Sequence, residues 1–271
     1  MLDNPRADRV KAVAKLSQKG ARSETGLFLL EGPQAVAEAL AYRPELGVEL
    51  YATPTALERY TDIAETAVLA GVDVEFASER VIEAMADTVT PQGFIAVVHQ
   101  FPTALKHALG TGRASDEPRL VVILEEVRDP GNLGTIIRVA DSAGADAVIL
   151  TGRSVDLYNP KVVRSTTGSL FHLPVVIDVE LDSALDAVRA AGLQVLAGDM
   201  HGDALPSVRE SGRLNAPTAW LFGNEARGLS AESLALADVS VAVPIYGDAE
   251  SMNLATAASV CLYETAFAQR A

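Results

Sequence analysis

The chain has 271 residues, 49% hydrophobic and 21% charged, which leaves room for two folded domains with cores of their own. One cysteine (Cys261) excludes an internal disulfide and a thiolate metal cluster, and the four histidines show no ligand spacing. No apolar run approaches the roughly 20 residues of a membrane helix, the N-terminus lacks the apolar core of a secretory signal, and a net charge of −14 argues by itself against a polyanionic partner, so the reading is a soluble cytoplasmic protein without a metal.

The first 22 residues break the acidic pattern. Arg6, Arg9, Lys11, Lys15, Lys19 and Arg22 stand against Asp3 and Asp8, a net +4 that leaves −18 for the rest of the chain. This stretch is either a phosphate-contacting arm or a solvated helix with ordinary surface charge. Apolar runs then alternate with amphipathic stretches, the pattern of an α/β fold. Strands are expected at 26–31, 48–53, 72–76 and 94–99, with helices at 33–42, 57–70 and 79–85 between them. Pro33 suits a first helical turn, where a missing N–H costs nothing, and Gly71 suits a helix end.

From Phe101 to Pro118 the periodicity fails and breakers gather at Pro102, Gly110, Gly112, Ser115 and Pro118, so residues 105–118 read as a linker between domains at 1–104 and 119–271. The second part opens with a β-branched run at 120–125, suited to a buried parallel strand. Further strands are expected at 147–150, 175–178, 194–197, 219–222 and 239–244, and helices at 133–143, 160–169, 184–191, 231–237 and 254–270. Trp220 and Cys261 read as core residues.

The usual nucleotide and hydrolase fingerprints are missing: there is no Gly-x-Gly-x-x-Gly, no Gly-x-x-x-x-Gly-Lys-Ser/Thr and no Gly-x-Ser-x-Gly. Three other segments stand out. DPGNLGTIIR (129–138) follows a buried strand, placing Asn132 near a helix N-terminus and Arg138 close to two turns later. WLFGNEARGL (220–229) runs a strand into Gly223, the polar pair Asn224 and Glu225, and Gly228; the carboxyl ends of strands are where open α/β sheets bind ligands. VPIYGDAESMNLATAA (243–258) ends a strand at Pro244, and Ser251 or Asn253 is placed to cap a final helix rich in small residues. Each segment alone is equally a turn leading into a helix.

Taken in order, the three resemble the signature set of the SpoU (TrmH-like) branch of the SPOUT RNA 2′-O-ribose methyltransferases: Asn…Arg, then Gly-x-Glu…Gly, then Pro-x-x-Gly…Ser-x-Asn. YNPKVVRSTTGSLF (158–171) is similar to the family's segment between the first two motifs, and the first hundred residues resemble its accessory RNA-binding domain of the ribosomal L30e type. The resemblance implies a smaller L30e-like α/β domain followed by a SPOUT-type parallel sheet closed into a deep trefoil knot, a feature that periodicity never suggests. It implies S-adenosyl-L-methionine as cofactor, held by Leu196, Leu221, Gly223, Ile245, Met252 and Asn253 largely through the main chain, with Arg138 at the reacting hydroxyl supported by Asn132, Glu225, Ser251 and Asn253. RNA contacts are expected from Arg6, Arg9, Lys11, Lys15, Arg22, Lys161 and Arg164, with Arg153 beside them. It further implies a homodimer acting on RNA, ribosomal 23S RNA before transfer RNA, because transfer-RNA members carry short helical extensions in place of a whole α/β domain. The rivals are a non-catalytic RNA-binding protein, which would have lost Arg138, Glu225 or Asn253, and a methyltransferase for a protein or small molecule.

Overall fold

The computed structural model describes residues 1–110 and 117–271, so Gly112 and Ser115 of the expected linker lie outside the described residues. The chain forms two compact units. The first comprises Met1–Phe101 and Asp156–His172, the second Pro102–Val155 and Leu173–Ala271. The segment 156–172, which the sequence reading keeps within 119–271, therefore packs with the first unit.

The first unit is built on four strands, β1 (Leu27–Glu31), β2 (Gly47–Ala52), β3 (Val74–Phe76) and β4 (Phe94–His99), in the spatial order β1-β4-β2-β3. β4 runs antiparallel to both neighbours, while β2 and β3 are parallel. One face of this sheet supplies Leu29, Tyr51, Ile95 and Val97 to a core closed by Val81, Ile82 and Met85 of the Glu79–Met85 helix and by Val10, Val13 and Leu16. The last three come from the N-terminal basic stretch, which folds as the helices Asp8–Lys15 and Lys19–Thr25. The helix expected at 57–70 is two helices, Pro54–Arg59 and Thr61–Leu69. Tyr60 leaves helical geometry between them (φ −130, ψ 62) and packs edge-on against Phe94, with ring centroids 5.9 Å apart.

Arg22 corrects the sequence reading. It was expected to reach RNA, but its side chain is only 2% exposed. Its Nε and Nη2 donate to Asp156 Oδ2 at 3.0 and 2.5 Å, and Nη1 donates to the carbonyls of Leu16 and Ser17, both at 2.8 Å. The other Asp156 oxygen accepts from the Tyr158 N–H, and the Tyr158 hydroxyl accepts from the Phe101 N–H at 2.8 Å. Burial raises the Tyr158 phenol above its ordinary range, so it stays protonated. The N-terminal stretch is thus part of the core rather than a detachable arm.

The second unit is a six-stranded, all-parallel sheet of β5 (Leu120–Glu125), β6 (Ala147–Thr151), β7 (Val175–Val179), β8 (Gln194–Ala204), β9 (Thr218–Phe222) and β10 (Val239–Ala242), in the order β10-β8-β9-β5-β6-β7. β5, β6 and β9 are buried along almost their whole length, as the apolar runs require when helices cover both faces. β8 is longer than expected. Its pairing with β10 stops at Ala197 and resumes at Asp203, so residues 198–202 bulge out of the ladder. The Leu254–Gln269 helix closes one face: the Trp220 indole N–H donates to Thr265 Oγ1 at 2.9 Å, and Cys261 is buried beside it. Burial pushes the Cys261 thiol up to about 12, which fits an inert core position. Among the described residues no helix is long and apolar enough to cross a membrane.

Replacing Arg22 by Ala leaves Asp156 and two carbonyls without their donors in a closed site. The variant is expected to lose about 3 kcal/mol or more, read as a melting temperature lower by roughly 10 °C. A melting temperature within 2 °C of the parent would show that the buried pair contributes little.

Candidate active site

The strand order turns the second sheet back on itself at β5. The chain moves from β5 out to β6 and β7, then returns on the other side through β8 and β9, so β5 and β9 are neighbours whose following loops leave in different directions. Such a switch point opens a crevice at the carboxyl ends of the strands. The first two motifs follow these two strands.

After β5, Glu126 takes a left-handed conformation (φ 53) and the chain turns into the Pro130–Ser142 helix. Asp129 is its N-cap, accepting the Asn132 N–H at 2.7 Å, and Pro130 occupies the first turn. After β9, Asn224 and Gly228 exchange main-chain hydrogen bonds at 3.2 and 2.8 Å, making a tight loop across Gly223. A Cβ on Gly223 would lie 2.5 Å from the Gly228 carbonyl, so only glycine fits there. The loop holds Glu225 against the first motif. Its carboxylate accepts the Arg128 N–H at 3.1 Å and the Asp129 N–H at 2.9 Å. Asn224 Nδ2 adds a bond to the Glu126 carbonyl at 2.9 Å.

The third motif joins through one residue. Asn253 caps the terminal helix, accepting the Thr256 N–H at 3.2 Å, and its Nδ2 donates to Asn132 Oδ1 at 3.0 Å. Asn132 Nδ2 in turn lies 3.5 Å from Glu225 Oε1. The sequence left Ser251 and Asn253 open as caps; the structure assigns the cap to Asn253.

Asn132, Glu225 and Asn253, far apart in sequence, thus form one hydrogen-bonded line. Arg138 lies on the same helix as Asn132 and is exposed; its carbonyl accepts from Ser142 Oγ at 2.8 Å, while its guanidinium makes no hydrogen bond or ion pair among the described residues. Ser251 and Met252 precede the cap in the exposed 243–253 loop, where Ile245 is partly exposed and Tyr246 almost wholly so. Leu196 and Leu221 have fully buried side chains, so only their main chain can face a ligand.

The residues expected to touch RNA fare differently. Arg9 pairs with Glu49 and Glu75, Lys11 with Asp8, and Arg164 with Glu31 at 2.8 Å and Asp87 at 2.9 Å. Arg6, Lys15 and Lys161 remain exposed. No group of His, Cys, Asp and Glu among the described residues could hold a metal. Sequence reasoning gave no role to Asp129, Asn224 or Glu126. Asp129 was within reach, since Asp followed by Pro before an apolar-periodic run is a helix-start signal; the other two carry no local sign.

Residues 119–263 match the model of the SpoU rRNA Methylase family and residues 7–96 match the MRM3-like substrate binding domain. The chain is 35% identical to the 23S rRNA (guanosine(2553)-2′-O)-methyltransferase RlmP of Bacillus subtilis, with 97% of each chain covered. Among solved structures it is similar to an AdoMet-bound rRNA methyltransferase from Sinorhizobium meliloti (TM-score 0.80, 31% identity, 97% of this chain and 96% of that one). It is also similar to the SpoU methyltransferase AviRb from Streptomyces viridochromogenes in complex with AdoMet (TM-score 0.82, 30% identity, 97% and 99%). The chain belongs to the SpoU rRNA methylase family, as a member with an N-terminal substrate-binding domain.

Gly223→Ala is expected to open the Asn224–Gly228 pairing, because overpacking of this kind costs on the order of 1–3 kcal/mol. Hydrogen exchange of the Gly228 amide should speed up by about tenfold or more. Unchanged protection would mean that the loop accommodates a methyl group and that its tightness is not what requires glycine.

Proposed function

We propose that this protein transfers a methyl group from S-adenosyl-L-methionine to a ribose 2′-hydroxyl of 23S ribosomal RNA. The observation that carries this reading is the convergence of Asn132, Glu225 and Asn253, one from each motif, at the switch point of a parallel sheet, with Arg138 further along the Asn132 helix and its guanidinium unpaired among the described residues. The relatives named above support the substrate. In this reading residues 1–104 bind the RNA, 105–118 link, and 119–271 carry the chemistry, with the C-terminal segment threading a loop to make a deep trefoil knot.

The residues present fit the cofactor. The exposed loop with Ile245 and Met252 offers apolar contact, and Gly223, Leu196, Leu221 and Asn253 offer main-chain groups at strand and helix ends. The bound cofactor supplies an activated methyl on a sulfonium. The protein's part is then position and proton management. The ribose hydroxyl would be the acceptor of that methyl, and its proton must leave. Arg138 cannot take it, because a guanidinium stays protonated in proteins. Arg138 instead holds the hydroxyl and a neighbouring RNA phosphate, and a phosphate oxygen accepts the proton. Asn132 and Asn253 fix the N-terminal end of the helix that carries Arg138, while Ser251 lines the approach. Glu225 keeps the first loop in place through its two main-chain bonds. Of the cations expected to bind RNA, Arg6, Lys15 and Lys161 are available for phosphates, and Arg9, Lys11 and Arg164 reach them by exchanging their present partners.

Arg138→Ala is expected to abolish transfer of radiolabelled methyl to large-subunit RNA, by roughly a thousandfold or more, while the dissociation constant for the cofactor stays within about threefold. A parallel loss of cofactor affinity would assign Arg138 to the cofactor site instead.

The protein works as a homodimer in this proposal. The terminal helix is apolar beyond the face it buries: Tyr263 and Phe267, with ring centroids 5.6 Å apart, are 37% and 55% exposed. A helix apolar on both faces needs a second cover. Replacing both residues by Ser should convert a dimer into a monomer in sedimentation velocity. A parent protein that sediments as a monomer would remove this part of the proposal.

A further inference from the structure

Of the cations expected to meet RNA, Arg22 is buried, and Arg9, Lys11 and Arg164 stand in ion pairs that they would have to exchange. A chain of net charge −14 must then attract a polyanion through local features. One such feature stands at the candidate site itself. Arg128, in the loop after β5, and Arg227, in the loop after β9, both point a guanidinium at the same atom: Nη2 of Arg128 lies 3.4 Å from Glu126 Oε2, and Nη2 of Arg227 lies 3.0 Å from it.

We propose that Arg128 and Arg227, oriented by Glu126, form a phosphate fork that receives a backbone phosphodiester of the RNA next to the methylated ribose. The inference rests on the methyltransferase reading above and adds the site at which the strand is gripped.

The two arginines make poor sense as a stabilising pair. Their side chains are 50% and 72% exposed, and exposed ion pairs contribute little. With Glu126 and the neighbouring Glu225 the two guanidiniums are balanced in charge, so what they offer an anion is oriented donors. Each spends one of its five N–H donors on Glu126, so eight remain for an anion, in the planar arrangement that matches phosphate oxygens. The surroundings fix them well. The Arg128 N–H is held by Glu225 Oε2, and the Arg227 N–H lies 3.3 Å from Asn224 Oδ1. Glu126 keeps a left-handed backbone (φ 53) that a non-glycine residue adopts only under constraint, with its carbonyl tied to Asn224 Nδ2 at 2.9 Å. Both arginines therefore flank Glu225 within the loops that carry the motif residues. In the methyltransferase reading the RNA strand runs over the loops that carry the motif residues, and a phosphodiester is the anion that it brings.

The test uses the full-length protein with large-subunit RNA transcribed in vitro. Parent, R128Q, R227Q and the double variant are compared for steady-state transfer, for RNA binding in the absence of cofactor across a salt series, and for cofactor affinity by calorimetry. Each single substitution should raise KM for RNA by on the order of tenfold, with kcat changed by less than about threefold. The slope of log binding constant against log salt should fall by about 0.7 for each arginine removed. R227K should recover part of the affinity, because charge remains while the fork geometry is lost. Unchanged KM and salt slope in the double variant would overturn the fork. A loss of cofactor affinity at constant RNA affinity would overturn it too, assigning the arginines to the cofactor's carboxylate. Transfer by the parent protein tests the functional reading separately: without any label in RNA, that reading and the fork fall together, whereas label in RNA with indifferent variants removes the fork alone.

Discussion

The carboxylate of Glu225 holds the candidate site together. It accepts two successive main-chain N–H groups, those of Arg128 and Asp129, just where the chain leaves β5 and has not yet entered the next helix. Those donors have no partner within either element, and at this exposed turn the carboxylate takes the place that water would otherwise fill, adding a charge-assisted bond to each. By meeting both, one side chain ties the loop after β9 to the loop after β5. Asp129 is thereby fixed as a helix cap, Asn132 is fixed one turn on, and Asn253 can find Asn132 from the far end of the chain. The parallel sheet makes this possible, because placing β9 beside β5 brings the two carboxyl ends together.

A second constraint operates in the first unit. Arg22 enters a closed environment only because two carbonyls and a carboxylate meet it there. Glu31, its side chain 4% exposed, likewise binds Arg164 and accepts the Thr88 N–H at 3.0 Å, so the loop before β4 is fastened to the end of β1. Charges that looked like surface decoration in the sequence are internal struts.

Much of the architecture was legible. Strands bounded by Gly or Pro and helices opening on Pro were placed to within a few residues, and the parallel character of the second sheet followed from unbroken apolar runs such as 120–125. The reading went astray where the deciding contacts are distant. A basic residue among basic residues looks exposed, and nothing local announces that Arg22 faces Asp156, 134 positions away. The far half of β8 is polar and follows Gly198, so it lacked an apolar signature. Tyr60 splits a helix because its ring packs against Phe94, which a 3.6-residue period does not record. Among the site residues, the motif order picked out Asn132, Glu225 and Asn253, whereas Arg128 and Arg227 came into view only once both were seen on Glu126.

The composition of the first unit has a consequence for how the protein is made. Its buried Arg22 waits for Asp156, and the ring of Phe28 waits for Tyr158, whose centroid lies 4.7 Å away. Synthesis runs from the N-terminus, so the first sheet emerges from the ribosome well before the segment that completes its core. During that interval the nascent first unit carries an unsatisfied guanidinium and uncovered apolar surface, a state exposed to chaperones and prone to association. Closing contacts across more than a hundred residues also raises contact order, which slows folding. This half of the molecule, although first in the sequence, finishes folding only after the Pro102–Val155 part of the second has been translated.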